Sequence, residues 1–174
     1  MNRMDFSRQR VLVVGAKTHP IQLLRAVLAN CGIAKIVHIE DGDAALELLT
    51  MEPFQAVFCD YRVATSAGVP FLVAARRNKS VRNPMIAIFL LKERASRPDV
   101  ERARDTGATD VLTVPMSARS LIAKLQAAVS APRPFIVAPD FFGPDRRSKA
   151  RPAYYGADRR KLMPRKAKVD FTHI

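Results

Sequence analysis

Along the first 130 residues, short apolar runs alternate with longer amphipathic stretches. Val11–Val14 is an uninterrupted β-branched and leucine run closed by Gly15, and reads as a buried strand. From Pro20 to Asn30 the apolar positions Ile21, Leu24, Val27 and Leu28 lie on one helical face, and Gly32 ends the segment. Lys35–Ile39 is a second strand. Asp41-Gly42-Asp43 opens a second helix through Ala44, Leu46, Leu48 and Leu49, stopped near Pro53. Ala56–Cys59 is a third strand that ends in the carboxylate Asp60. Val69–Arg77 is a third helix and Met85–Leu91 a fourth strand, apolar on both faces. Ser96 caps a fourth helix that Gly107 ends. Val111–Val114 is a fifth strand, and Ser117 caps a fifth helix with Leu121, Ile122, Leu125 and Val129 facing inward.

Five strand–helix units in regular alternation predict an α/β fold, a doubly wound five-stranded parallel sheet with helices on both faces. The expected strand order is 2-1-3-4-5, which places a site at the carboxyl ends of strands one and three. Residues 1–9 read as an arm, 10–130 as the domain, and 131–174 as a tail that is mostly irregular. Ala131-Pro132-Arg133-Pro134 reads as a linker. Prolines throughout the tail break every candidate helix, so no helix-turn-helix output is expected there.

Charge changes the picture of the tail more than that of the domain. The net charge is +13 over 174 residues. Residues 131–174 hold 11 Lys and Arg against 4 Asp and Glu, so a quarter of the chain carries over half of the excess. An anionic partner follows, although charge alone does not choose among nucleotide, nucleic acid, membrane and acidic protein. No apolar run approaches the ~20 residues needed to span a bilayer, and no secretory segment opens the chain. Cys31 and Cys59 sit in apolar context, as reduced core residues of a cytoplasmic protein do. The histidines are scattered, and no metal site is expected among them.

The order and spacing of these segments resemble the CheY-like receiver domain of bacterial response regulators, a flavodoxin-like fold. The resemblance runs over roughly Arg10–Ser130. It is carried by VLVV (Val11–Val14), EDGDAALELL (Glu40–Leu49), Asp60 with Gly68 eight residues on, PMIAIFL (Pro84–Leu90) and GATDVLTVP (Gly107–Pro115). It implies a signalling role in a two-component phosphorelay, acting by protein contact rather than as an enzyme. Partners would meet the face formed by helix four, strand five and helix five, here Pro98–Val129. The resemblance makes Asp60 the phosphoacceptor. It puts the metal-binding acid pair at Gly15 and Ala16, the switch hydroxyl at Phe89, and the strand-five lysine at Val114; none of these four supplies the group. Mg²⁺ binding is therefore expected to be weak or lost, with no other cofactor, because Mg²⁺ needs hard oxygen ligands. Asp60 is then either a retained phosphoacceptor or an acid that caps its own loop. Lys17 and Arg62 are its candidate charge partners.

The tail contains a repeat. Phe141-Phe142-Gly143-Pro144-Asp145-Arg146-Arg147 returns 13 positions on as Tyr154-Tyr155-Gly156-Ala157-Asp158-Arg159-Arg160. Arginine offers planar donors for phosphate, and aromatic rings offer stacking faces for bases. Arg146, Arg147, Arg151, Arg159 and Arg160, with Phe141, Phe142, Tyr154 and Tyr155, are thus candidate contacts for cyclic di-GMP, ahead of nucleic acid. A docked or solvated tail is the alternative.

Overall fold

The computed structural model describes residues 6–138, 141–145 and 165–167. Five strands, β1 (Arg10–Val14), β2 (Lys35–Ile39), β3 (Ala56–Asp60), β4 (Ala87–Lys92) and β5 (Asp110–Thr113), form one parallel sheet in the order β2-β1-β3-β4-β5. Five helices connect or follow them: α1 (His19–Asn30), α2 (Gly42–Met51), α3 (Phe71–Arg77), α4 (Arg97–Asp105) and α5 (Ala118–Ser130). Side chains alternate across each strand, and this divides the interior in two. Val11, Val13, Phe58, Phe89, Leu91 and Leu112 pack under α1 and α5. Leu12, Val14, Val57, Cys59 and Ile88 pack under α2, α3 and α4. The expected order and both helical layers are present.

Three of the five helices begin where a side chain satisfies their first amides. Asp41 accepts from the Ala44 amide, Ser96 and Asp99 cap each other's backbone N–H in a reciprocal box, and Ser117 accepts from the Ser120 amide. Two details differ from the sequence reading in the helices. The third helix begins at Phe71, because Val69 and Pro70 are held in the preceding loop: Val69 O accepts from the Thr65 amide, and Ala64 bridges to Pro70. In α2 the buried face is Gly42, Ala45 and Leu49, and Ala44 is exposed.

Beyond Ser130, residues 135–138 and 141–144 return to the domain. β6 (Phe135–Ala138) and β7 (Phe141–Pro144) form an antiparallel hairpin, and β8 (Arg165–Ala167) pairs on the other edge of β6. The hairpin seats against the end of the main sheet where β4 and β5 begin. Phe135 is 3% exposed. The Arg76 guanidinium lies 5.1 Å from the Phe135 ring centroid and donates to the Gly107, Pro84 and Ile86 carbonyls. Gly143 meets Gly107 so closely that a Cβ on Gly143 would stand 2.6 Å from the Gly107 Cα. These strands are the regular part of a tail expected to be mostly irregular.

Candidate functional site

Asp60 is the last residue of β3 and stands at the carboxyl end of the sheet. Its carboxylate is held by its near neighbour Arg62. The Arg62 backbone N–H donates to Oδ1 at 2.9 Å, Nε donates to Oδ1 at 3.0 Å, and Nη2 donates to Oδ2 at 2.7 Å. This is a two-pronged guanidinium–carboxylate pair closed by an Asx-type turn. Burial by itself would raise the Asp60 pKa. The Arg62 side-chain and backbone hydrogen bonds, together with its charge, outweigh burial and hold Asp60 below the ordinary carboxylate value. Lys17, the other candidate partner, is turned away and meets Glu40, Nζ to Oε1 at 3.2 Å.

The loop after β1 shapes the floor of the site. Gly15 has φ +142°, a conformation that side chains disfavour, and a Cβ there would come 2.9 Å from the Asp60 Cβ. The Gly15 carbonyl oxygen lies 2.8 Å from His38 Nε2, within hydrogen-bonding distance. Asp60 and Arg62 open onto a cleft of about 290 Å³ lined also by Thr18, Ile21, Leu91 and Val114. Val114, the residue after β5, is one of the residues lining this cleft.

Phe89 does not stand beside Asp60. The pairing register sets Asp60 level with Leu91, and Phe89 level with Phe58 two residues deeper. Phe89 is 1% exposed and its ring stacks on Phe58 at 5.0 Å. The displacement arises because β4 runs on to Lys92, so its tip lies beyond the segment counted from Pro84. Leu91 is the β4 side chain lining the cleft, and it too offers no hydroxyl. Sequence reasoning also missed Tyr61. This half-exposed ring has Lys92 Nζ 4.7 Å and Arg62 Cζ 5.8 Å from its centroid, while Lys92 pairs with Asp99 at 2.8 Å. The aromatic–cation alternation Tyr61-Arg62 was the available signal.

Several oxygen donors near Asp60 are already engaged. Both carboxylate oxygens already accept from Arg62, Gly15 and Ala16 bring no acid, Glu40 is paired with Lys17, and Asp41 caps α2. Among the described residues no group of three acidic, His or Cys side chains is arranged to hold a metal. Cys59, beside Asp60, is buried, and burial pushes its thiol pKa well up, with the Asp60 charge adding to the shift.

At the far end of the domain, Phe142 packs its ring 5.5 Å from that of Phe135, and Phe141 is half-buried with its ring against Gly143. The first aromatic pair of the repeat is thus in contact with its own protein. Arg146, Arg147, Arg151, Tyr154, Tyr155, Arg159 and Arg160 lie outside the described residues.

Comparison with known proteins gives this fold and site their class. The response regulator receiver domain family matches residues 11–126. The probable chemotaxis protein CheY of Rhizobium etli is 30% identical over 122 residues, covering 70% of this chain and 90% of that protein. Among solved structures, the receiver domain of sensor histidine kinase PA1611 from Pseudomonas aeruginosa, which has a magnesium ion in its active-site cleft, superposes with TM-score 0.60. It is 22% identical and covers 71% of this chain and 98% of its own. The receiver domain of Ssk1 from Saccharomyces cerevisiae, solved with the phosphotransfer protein Ypd1, superposes with TM-score 0.58 at 19% identity, covering 72% and 91%. The chain belongs to the response regulator receiver domain family.

Proposed function

We propose that this protein is an atypical receiver of bacterial two-component signalling. It works by binding partner proteins while Asp60 stays unphosphorylated, with no DNA-binding output module in its tail and in the cytoplasm. One observation carries the reading: both oxygens of the Asp60 carboxylate accept from the Arg62 fork, Gly15 stands against Asp60 without an acid, and the cleft beyond is walled by Leu91 and Val114 together with Thr18, Lys92, Glu93 and Arg94. Phosphoryl transfer to a carboxylate needs a free oxygen and cations that take up charge in the transition state. Here the cation nearest to Asp60 is covalently part of the next turn, and both Asp60 oxygens already accept hydrogen bonds from it. The pair fixes the loop between β3 and α3 in one arrangement. Mg²⁺ binding is weak or absent in this reading, for want of oxygen donors. The partner surface is the α4–β5–α5 face, Pro98–Val129, supported by the capped and ion-paired α4. No helix among the described residues is long and apolar enough to cross a membrane.

Incubation with acetyl phosphate and Mg²⁺ followed by intact-mass measurement tests this. Wild type, Asp60→Asn and Arg62→Ala are run together, and the wild type is expected to remain unmodified. A phosphoryl adduct on wild type that is absent from Asp60→Asn would overturn the reading.

A further inference from the structure

Glu40, Asp41, Asp43, Asp60, Glu93 and Asp99 stand at or just beyond the carboxyl ends of strands, where the helices begin. From Tyr61 to Lys92 the chain has no acidic residue and six basic ones. Of these, Arg62 pairs with Asp60, Lys92 pairs with Asp99, and Arg76 is buried. Arg77, Lys79 and Arg82 remain. All three are exposed, on the last turn of α3 and the loop that leads to β4. No carboxylate among the described residues is within ion-pairing distance of them. Arg104, exposed in the last turn of α4, lies at the same end. The acids found there are occupied: Glu52 by Arg10 and Lys35, Asp110 by Lys124, and Asp105 is likewise engaged.

The loop is built to hold its shape. Asn78 Oδ1 accepts from the Ser80 amide at 2.9 Å, and Asn83 Oδ1 accepts from the Met85 amide at 3.1 Å. Val81 is buried at 4% exposure, and the Arg82 amide donates to Leu49 O at 3.1 Å. Cations fixed together without counter-charges repel one another, and an anionic partner removes that cost. Little backbone freedom is left for the loop to lose when the partner arrives.

We propose that this loop is a docking site for the phosphate backbone of duplex DNA, with Arg77, Lys79 and Arg82 on phosphates and Arg104 flanking them. The chemistry of the loop selects this partner. The cleft beside Arg82 is lined by Glu52 and by apolar Leu49, Phe54 and Ile86, which do not suit a free nucleotide. Residues 77–84 include no aromatic ring on which a single strand could stack its bases. Their one large aliphatic side chain, Val81, points into the core, so nothing on the loop inserts into a bilayer. What the loop exposes is Arg, Lys and Ser beside half-buried Asn, the donors that meet phosphate oxygens in protein–DNA interfaces. Binding of this kind reads charge and not sequence.

The full chain is titrated into a fluorescein-labelled random-sequence duplex at rising KCl, with anisotropy as the readout. Affinity should fall steeply with salt. Arg77→Gln/Lys79→Gln/Arg82→Gln should weaken binding at low salt at least about ten-fold and reduce the salt slope by about 3, with an unchanged melting temperature. If that variant melts lower, the single exposed change Lys79→Glu serves in its place. Arg146→Gln/Arg147→Gln serves as the tail control, against which the loop effect must persist. Wild-type affinity in the loop variants overturns the proposal. So does a preference for single-stranded DNA, binding to anionic vesicles without binding to duplex, or no salt-dependent binding at all. None of these outcomes depends on whether Asp60 accepts a phosphoryl group.

Discussion

The acid at the tip of β3 shows how far one neighbour can redefine a residue. Asp60 was legible as the central carboxylate because an apolar strand ends on it. That its partner is Arg62 and not Lys17 depended on geometry: Glu40, at the end of β2, is within reach of Lys17. The Arg62 guanidinium is 60% exposed, so the pair adds only about 0–1 kcal/mol to stability. Asp60→Asn should therefore lower stability by less than about 1 kcal/mol at neutral pH. The folded-state pKa of Asp60 is lowered, so its contribution is complete above the ordinary carboxylate pKa of about 4 and is lost as pH falls through the folded value. Denaturant midpoints of wild type and Asp60→Asn should differ at pH 7 and converge at strongly acidic pH. Gly15 gives a second expectation. Gly15→Asp, which would restore an acid after β1, should cost about 1–3 kcal/mol, because its backbone has φ +142° and the new Cβ would stand 2.9 Å from that of Asp60. An unchanged denaturant midpoint would show that this loop relaxes freely.

At the scale of elements, the periodicity of apolar residues located all five strands and all five helices of the domain, and erred where tertiary contacts set the ends. The expected β4 starts two residues early and ends one residue short, because Met85 and Ile86 are as apolar as the strand itself. The error carried Phe89 to a tip that Leu91 and Lys92 occupy. The hairpin was missed for a different reason. Phe135–Ala138 is strand-like, but its partner Phe141–Pro144 contains Gly and Pro, which read as a turn. Gly143 is there because no side chain fits beside Gly107. Arg76, which reads as a surface residue in sequence, is 5% exposed and ties the hairpin bed together through three carbonyls; burial pushes its pKa down to about 9. Phe135→Ala should cost about 3–5 kcal/mol, measured by chemical denaturation. Gly143→Val should release the hairpin, seen as loss of amide-exchange protection at Phe135–Ala138 while β1–β3 stay protected.

For the whole molecule, the alternation of strands and helices carried the architecture by itself. A run of apolar β-branched residues must be covered on both faces, right-handed crossovers leave few ways to do so, and the order β2-β1-β3-β4-β5 follows. Composition likewise carried the sign of the charge. It did not carry its placement, because ion pairs form across the fold: Arg10 with Glu52, Lys92 with Asp99, Lys124 with Asp110. Those pairings consume the bases next to acids and leave Arg77, Lys79 and Arg82 as an uncompensated patch far from Asp60. Mixed-charge surfaces of this kind cannot be sorted into paired and free residues until the chain is folded. The same holds for the seat of the tail, since Gly107 and Gly143 meet only when the start of β5 and the hairpin are brought together. What the linear order determined is the layering, since local periodicity and chain connectivity suffice for it. What only the tertiary structure decided is which cation answers Asp60, which residue stands beside it on β4, and which bases remain free, because each turns on contacts between residues that the sequence keeps apart, such as Lys17 with Glu40 and Asp60 with Leu91.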